Sequence, residues 1–265
     1  MIPKKIHYCW FGGNPIPELA QKCIASWNEH CPEYEIKEWN ETNFDINCCA
    51  FVKEAYEVGK WAFITDYVRL KVLYDEGGIY MDTDVEVIRN LDLLLHHPAF
   101  SGFESSKEIP TGIMASERHN RWIEKMLDYY KDRHFIKDGN QEEVTNVKII
   151  TELTKNEYGI KLDNTYQDLG DVVFYPRDYF CPKDYITGQI KYLTENTYTI
   201  HHFSGSWLDE EIQNNRKDIW NVRKKYGLFV GWLYRNYIEY GRVIKKDGLR
   251  GLINLTVENI KRRVQ

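Results

Sequence analysis

The stretch from Trp61 to Asp84 constrains the fold more than any other part of the chain. Trp61 to Glu76 has helical periodicity, Gly77-Gly78 stops it, and the apolar run Ile79-Tyr80-Met81 leads directly into Asp82-Thr83-Asp84. Glycine suits a helix end because it turns left-handed without a Cβ clash. The apolar run then reads as a buried strand, with Tyr80, Asp82 and Asp84 on one face and Ile79 and Met81 on the other. Two carboxylates held that close repel each other unless a divalent cation lies beside them. A polar strand end entering a solvated turn is the alternative, and the triplet alone does not separate the two.

Upstream, Ile6 to Phe11 reads as a first buried strand, stopped by Gly12-Gly13 and the turn Asn14-Pro15. Pro17 opens a helix carrying Leu19, Cys23 and Trp27 at helical spacing, and Tyr34 to Trp39 alternates as a second strand. A helix follows from Cys48 to Val58, and a strand from Val85 to Ile88 comes after the acidic triplet. This alternation predicts an α/β fold, a mostly parallel sheet with helices on both faces. Ligands of such folds collect at the carboxyl ends of the strands, so the segment Trp10 to Gly13 and the Asp82/Asp84 pair should face one crevice. Trp10 is then either a flat platform for a nucleobase or a core residue.

Asp66 and Arg69 lie three apart on one helical face. They form either a surface ion pair or a carboxylate and guanidinium aimed at sugar hydroxyls and phosphate oxygens. Glu104, after a later loop, is placed to face a substrate. Tyr198 to Phe203 predicts a strand that brings His201 and His202 to a glycine turn, and alternation lets only one imidazole join a site begun by carboxylates. The region Phe100 to Tyr158 shows an amphipathic helix from Arg121 to Tyr130 but no acceptor-binding pattern.

Charge is uneven. Residues 216–265 hold 13 Lys/Arg against 4 Asp/Glu, whereas the chain as a whole carries a net charge of −5. An acidic body argues against nucleic acid as partner, and a basic, aromatic-rich tail points to a separate role. The expected division is residues 1–215 as a catalytic body and 216–265 as a helical tail. The six cysteines form no Cys-x-x-Cys pair, and no signal-like apolar core follows Met1, so a cytoplasmic location is expected.

Together the segments Pro3 to Gly13, Ala62 to Arg69, Tyr74 to Asp84 and His201 to Trp207 resemble glycosyltransferase family 32, whose sugar-binding region contains a DXD motif. They are similar, more distantly, to the catalytic domains of the large clostridial glucosylating toxins. The resemblance implies a GT-A type fold, a nucleotide-sugar donor (UDP-galactose, UDP-glucose or a UDP-N-acetylhexosamine favoured) and transfer with retention. It implies that Trp10 stacks on the base, with Phe11, Gly12, Thr65, Tyr80 and Thr83 beside the donor. Asp66 and Arg69 would hold ribose and sugar and, with Asp82 and Asp84, serve as the catalytic set. Asp84, Asp82 and His202 would ligate Mn²⁺ or Mg²⁺, with His201 as the fallback to His202.

The expected acceptor is a glycan, for example a lipid-linked oligosaccharide of bacterial capsule or surface polysaccharide synthesis. The tail would either pack on the body or lie on an anionic membrane as a peripheral attachment. Two other functions fit parts of the pattern. One is a non-catalytic nucleotide-sugar-binding module. The other is a metal-dependent phosphatase or phosphotransferase, disfavoured because Glu86 stands where haloacid-dehalogenase-like enzymes carry a small side chain.

Overall fold

A computed structural model describes the chain except Ser106, Glu143, Trp207, Asp209 and Gln265. The side chains of Glu210, Lys246, Asp247 and residues 249–264 are likewise outside the description. The expectation attached to Trp207, and that part of the expected basic tail formed by Lys246, Asp247 and residues 249–265, therefore fall outside the described residues.

In chain order the elements are β1 (Lys5–Cys9), α1 (Glu18–His30), β2 (Glu35–Trp39), α2 (Ala50–Glu57), α3 (Trp61–Glu76), β3 (Gly78–Met81), β4 (Val85–Val87), β5 (Ala99–Gly102) and β6 (Ile113–Ser116). There follow α4 (Arg121–Asp128), a small hairpin of β7 (Ile136–Lys137) and β8 (Asn140–Gln141), α5 (Asn146–Tyr158), β9 (Gln167–Asp168), β10 (Val173–Tyr175) and α6 (Arg177–Phe180). The last elements are β11 (Lys183–Asp184), β12 (Gln189–Ile190), β13 (Thr199–His201) and α7 (Glu210–Val264). Helical geometry in α7 is interrupted at Gly227 and Gly248.

The chain divides into two compact units, Met1–Asp184 with Ile190–Trp207, and Tyr185–Gln189 with Leu208–Gln265. The boundary expected after residue 215 thus falls after Trp207. The first unit is built on a seven-stranded sheet of order β2-β1-β3-β6-β5-β10-β9. Five of its strands run one way, and only β6 and β9 run against them. This is the expected α/β arrangement, a mostly parallel sheet flanked by helices.

Strand alternation divides the core. Ile6, Tyr8, Ile79, Met81, Phe100, Ile113 and Ala115 pack on one side of the sheet with Trp27 of α1. Cys9, Tyr80, Ala99 and Met114 face the other side, against Ile64 and Val68 of α3 and Trp122 and Ile123 of α4. A wholly buried side chain of this size stabilises by roughly 1.5–3 kcal/mol.

The joint between α3 and β3 is made by two glycines. Gly77 and Gly78 have φ of 65° and 110°. A Cβ on Gly77 would lie 2.9 Å from the Arg118 nitrogen, and one on Gly78 2.9 Å from the Lys5 carbonyl. The helix therefore turns straight into the central strand, with no intervening loop.

Candidate active site

β3 stops at Met81, and Asp82 to Val85 form a turn closed by the Val85 N–H donating to the Asp82 carbonyl at 3.0 Å. This turn, rather than a continued strand, brings the two carboxylates together. α1 holds the chain beyond it: Trp27 Nε1 donates to the Val85 carbonyl at 2.7 Å, and the Val87 N–H donates to Ser26 Oγ at 2.9 Å. On the other side, β13 pairs antiparallel with β4 in the register His201 to Val85. Pairing with β4 carries an imidazole to the acidic turn.

That imidazole is His201. Its Nε2 lies 3.3 Å from Asp84 Oδ1, and Asp82, Asp84 and His201 each offer a donor atom within 4.8 Å of the others. His202, the ligand expected from the resemblance, turns to the opposite face and meets Glu86 Oε2 at 2.8 Å. The correction follows from the two-residue period of a strand, which separates adjacent side chains. Gly112 makes room for the ring, since a Cβ there would fall 2.8 Å from His201 Cε1.

Burial opposes charge on Asp84, but His201 and the Ser204 N–H (2.7 Å from Oδ2) outweigh it and hold the carboxyl well below the usual range. Burial likewise opposes protonation of His201, and Asp84 reverses that, raising the imidazole well above its ordinary value. The two form a buried ion pair, and Nδ1 of His201 has no hydrogen-bond partner among the described residues.

Beside the turn lies a second group, anchored by Arg69. Its Nη2 is 3.2 Å from Asp66 Oδ1 and its Nη1 is 3.4 Å from Asp82 Oδ1, while Nη1 also donates to the Thr111 carbonyl. The guanidinium sits 4.6 Å from the Tyr80 ring centroid, and the Tyr80 hydroxyl donates to Asp82 Oδ1 at 3.0 Å. Asp66 and Arg69 are therefore no surface pair. Burial pushes Asp66 up to about 7; Arg69 opposes this and Asp82 adds to it. Glu104 is drawn up to about 6, first by burial, with His201 acting against the shift and Glu108 and Asp82 reinforcing it.

The remaining expected donor residues are placed less uniformly. Trp10 is partly exposed after β1, its Nε1 donating to the Asn14 carbonyl at 2.6 Å. Gly12 has φ of 89°, its N–H donates to Glu41 Oε1 at 2.6 Å, and a Cβ there would lie 2.7 Å from the Trp61 ring. Phe11 is in the core, edge-on to Phe44, so its side chain is not available to a donor. Thr65 hydrogen-bonds back to the Trp61 carbonyl, and Thr83 is buried within the acidic turn.

Residues 17–101 match the family described as glycosyltransferase sugar-binding region containing DXD motif. The DXD region so defined includes Asp66, Arg69, Asp82 and Asp84, whereas Trp10 and His201 lie outside it. Inositol phosphoceramide mannosyltransferase 3 of Schizosaccharomyces pombe is 33% identical over 121 residues, covering 43% of this chain and 33% of that protein. Mannosyl phosphorylinositol ceramide synthase CSH1 of Saccharomyces cerevisiae is 32% identical over 154 residues, 51% of this chain and 38% of that one. The chain matches little more than a third of the length of these relatives. Among solved structures, the PaToxG glycosyltransferase aligns over 60% of this chain and 70% of that one, at 18% identity and a TM-score of 0.46.

The residues beside the DXD turn fit a divalent ion. Two carboxylates and an imidazole suit Mn²⁺, and the carboxylates alone suit Mg²⁺. Ligands around an ion bound at roughly 2.1 Å stand about 3 Å apart, close to the separation of His201 and Asp84.

Proposed function

We propose that the chain is a metal-dependent glycosyltransferase that moves a hexose from a nucleoside diphosphate sugar to a glycan acceptor. The observation that carries this reading is the convergence of Asp82, Asp84 and His201 at the end of β3, beside half-buried Asp66 and the buried Arg69 and Tyr80. A bound Mn²⁺ or Mg²⁺ would supply positive charge to the departing diphosphate. The chain's part is to hold that ion and orient the donor. Asp84, its Oδ2 held by the Ser204 N–H, is the anionic ligand, and Asp82 and His201 would complete the set, the imidazole serving as the neutral ring once the ion takes the place of its proton. Arg69 fixes Asp82 and Asp66, leaving their outer oxygens for ribose and sugar hydroxyls. Trp10, partly exposed after β1, is the platform for the base.

Retention is the proposed stereochemical course, by attack of the acceptor on the face the diphosphate leaves, with a departing phosphate oxygen taking the acceptor proton. The UDP-hexoses favoured by the resemblance stay in the donor panel. GDP-mannose joins them because the names of both yeast relatives carry a mannosyl group. A lipid-linked or glycolipid acceptor fits both the expectation from the sequence and those names.

The test is release of free nucleoside diphosphate from each donor, with Mn²⁺ or with excess chelator, followed by NMR assignment of the product anomer. Metal-dependent release from one donor and its loss in Asp84→Ala, by on the order of 10²-fold or more, is the expected result. Turnover that survives chelator, or no binding of any donor, overturns the reading.

A further inference from the structure

Two parallel strands of the large sheet, β5 and β10, end side by side. Phe100, Ser101 and Gly102 stand opposite Val173, Phe174 and Tyr175, and the Phe103 N–H donates to the Tyr175 carbonyl at 3.0 Å. Glu104 and Arg177 therefore each lie two residues beyond a paired strand end. β3 runs the same way as β5, because both pair antiparallel with β6, so the acidic turn lies along this edge too. α6, which opens with Arg177, is held against the site. Gly102 admits the Phe180 ring, since a Cβ there would fall 2.8 Å from it. Thr199 Oγ1 donates to the Phe180 carbonyl at 3.0 Å, which fastens α6 to the strand that carries His201.

Arg177 is a cation without a counter-charge. Its guanidinium lies 4.0 Å from the Tyr192 ring centroid, and its backbone N–H donates to Asn164 Oδ1 at 2.8 Å. Among the described residues its buried Nε has no hydrogen-bond partner, and the side chain makes no ion pair. Arg69 differs, its fork being occupied by Asp66, Asp82 and the Thr111 carbonyl. The Arg177 charge nevertheless reaches the site, where it opposes the upward shift that burial imposes on the Glu104 carboxyl. A guanidinium held over an aromatic ring is fixed in place while its in-plane N–H groups stay able to bind. Leaving such donors half-buried and unpaired is unfavourable, and an anion in the fork would satisfy them.

We propose that Arg177, backed by Tyr192, is the acceptor subsite, and that it selects an acceptor carrying an anionic group. Carboxylate and phosphate oxygens both match the guanidinium fork, so an acidic sugar and a phosphate-linked one share this chemistry. The acceptor role rests on the transferase reading, whereas the anion site does not. Placement supports the role. In the sheet order β1-β3-β6-β5-β10, Trp10 and Asp82 follow β1 and β3, and Glu104 and Arg177 follow β5 and β10. Donor and acceptor would then meet across the acidic turn, each held from its own side.

The test is saturation-transfer difference NMR on the full chain with Mg²⁺ and saturating UDP, repeated with GDP, so that the acidic turn does not draw the phosphate of a probe. The probes are methyl β-D-glucuronide, α-D-glucose-1-phosphate and, as the neutral control, methyl β-D-glucoside. At least one anionic probe is expected to bind about tenfold or more tightly than the neutral one, and the stronger of the two identifies the source of the anion. Arg177→Gln should abolish that preference, and Arg177→Lys, which keeps the charge without the fork, should keep part of it. Circular dichroism checks that both variants fold, and the ranking of probes on the parent chain stands without them. Three probes that bind alike, none that binds, or a preference that survives Arg177→Gln overturns the proposal. Anion binding through Arg177 with no nucleoside diphosphate release from any donor would keep the subsite and sink the transferase reading. Metal-dependent release with no anion preference would do the reverse.

Discussion

At the scale of single residues, the choice between His201 and His202 is the sharpest question. Both imidazoles were visible in the sequence, but strand parity could not be assigned until β13 was paired with β4. The register that sets His201 opposite Val85 also turns His202 to Glu86. His201→Ala should therefore raise the Mn²⁺ concentration needed for half-maximal turnover by about 10-fold or more, while His202→Ala changes it little. A metal titration of both variants measures this, and the reverse order would return the site to His202. Arg69 behaves differently, because it sits between two carboxylates in a buried position. Arg69→Met leaves Asp66 and Asp82 without their counter-charge and should cost about 3–5 kcal/mol of stability, read from the denaturant midpoint. Arg69→Lys keeps the charge but loses the fork, so its cost should be smaller.

At the scale of elements, α3, β3 and the glycines between them were legible, because helix period, stop signal and apolar run fall in unbroken succession. The acidic triplet was legible as a motif but not as a turn, since hydrogen bonding and not side-chain pattern ends β3 at Met81. Phe11 was misplaced because an aromatic residue after a strand looks the same whether it faces a ligand or the core. For Glu104 the sequence offers only its position after a loop; the charges of His201 and Asp82 that act on its carboxyl come from the fold. β1 also carries a group that senses pH. His7 Nδ1 accepts from Trp39 Nε1 at 3.1 Å and its Nε2 lies 2.8 Å from the Gly77 carbonyl, an arrangement that only the neutral ring satisfies. Burial pushes its pKa down. The unfolded chain then binds the proton first, so this contribution is complete above the ordinary value of about 6.5 and is lost as pH falls below it. Acidification from about pH 7.5 to about pH 5.5 should lower the denaturant midpoint of the parent more than that of His7→Gln. Equal falls would show that another group dominates.

At the scale of the whole molecule, the acidic body and basic tail seen in the sequence correspond only in part to the two units, because the segment Tyr185–Gln189 groups with the later one. A short segment that joins a distant part of the chain leaves no mark in composition or periodicity. The metal-donor reading has a consequence here that does not require turnover. If the diphosphate and the Asp82–Asp84–His201 set share one ion, metal and donor should stabilise the chain together far more than either does alone. At a donor concentration near 100 times its dissociation constant, the gain is about 2.7 kcal/mol, visible as a rise in Tm. Equal shifts with donor alone, with and without chelator, would separate the donor from the acidic turn.

The glycine joint between α3 and β3 leaves no slack in the chain, so the interval between Arg69 and Asp82 acts as a gauge. Substitutions along the outer surface of α3 leave that interval intact. One residue gained or lost at Gly77-Gly78 would exchange the two sides of β3, sending Tyr80 toward Trp27 and Met81 toward the guanidinium. Length is the property this joint cannot trade, and deletion scanning there should be far less forgiving than side-chain replacement on the helix exterior.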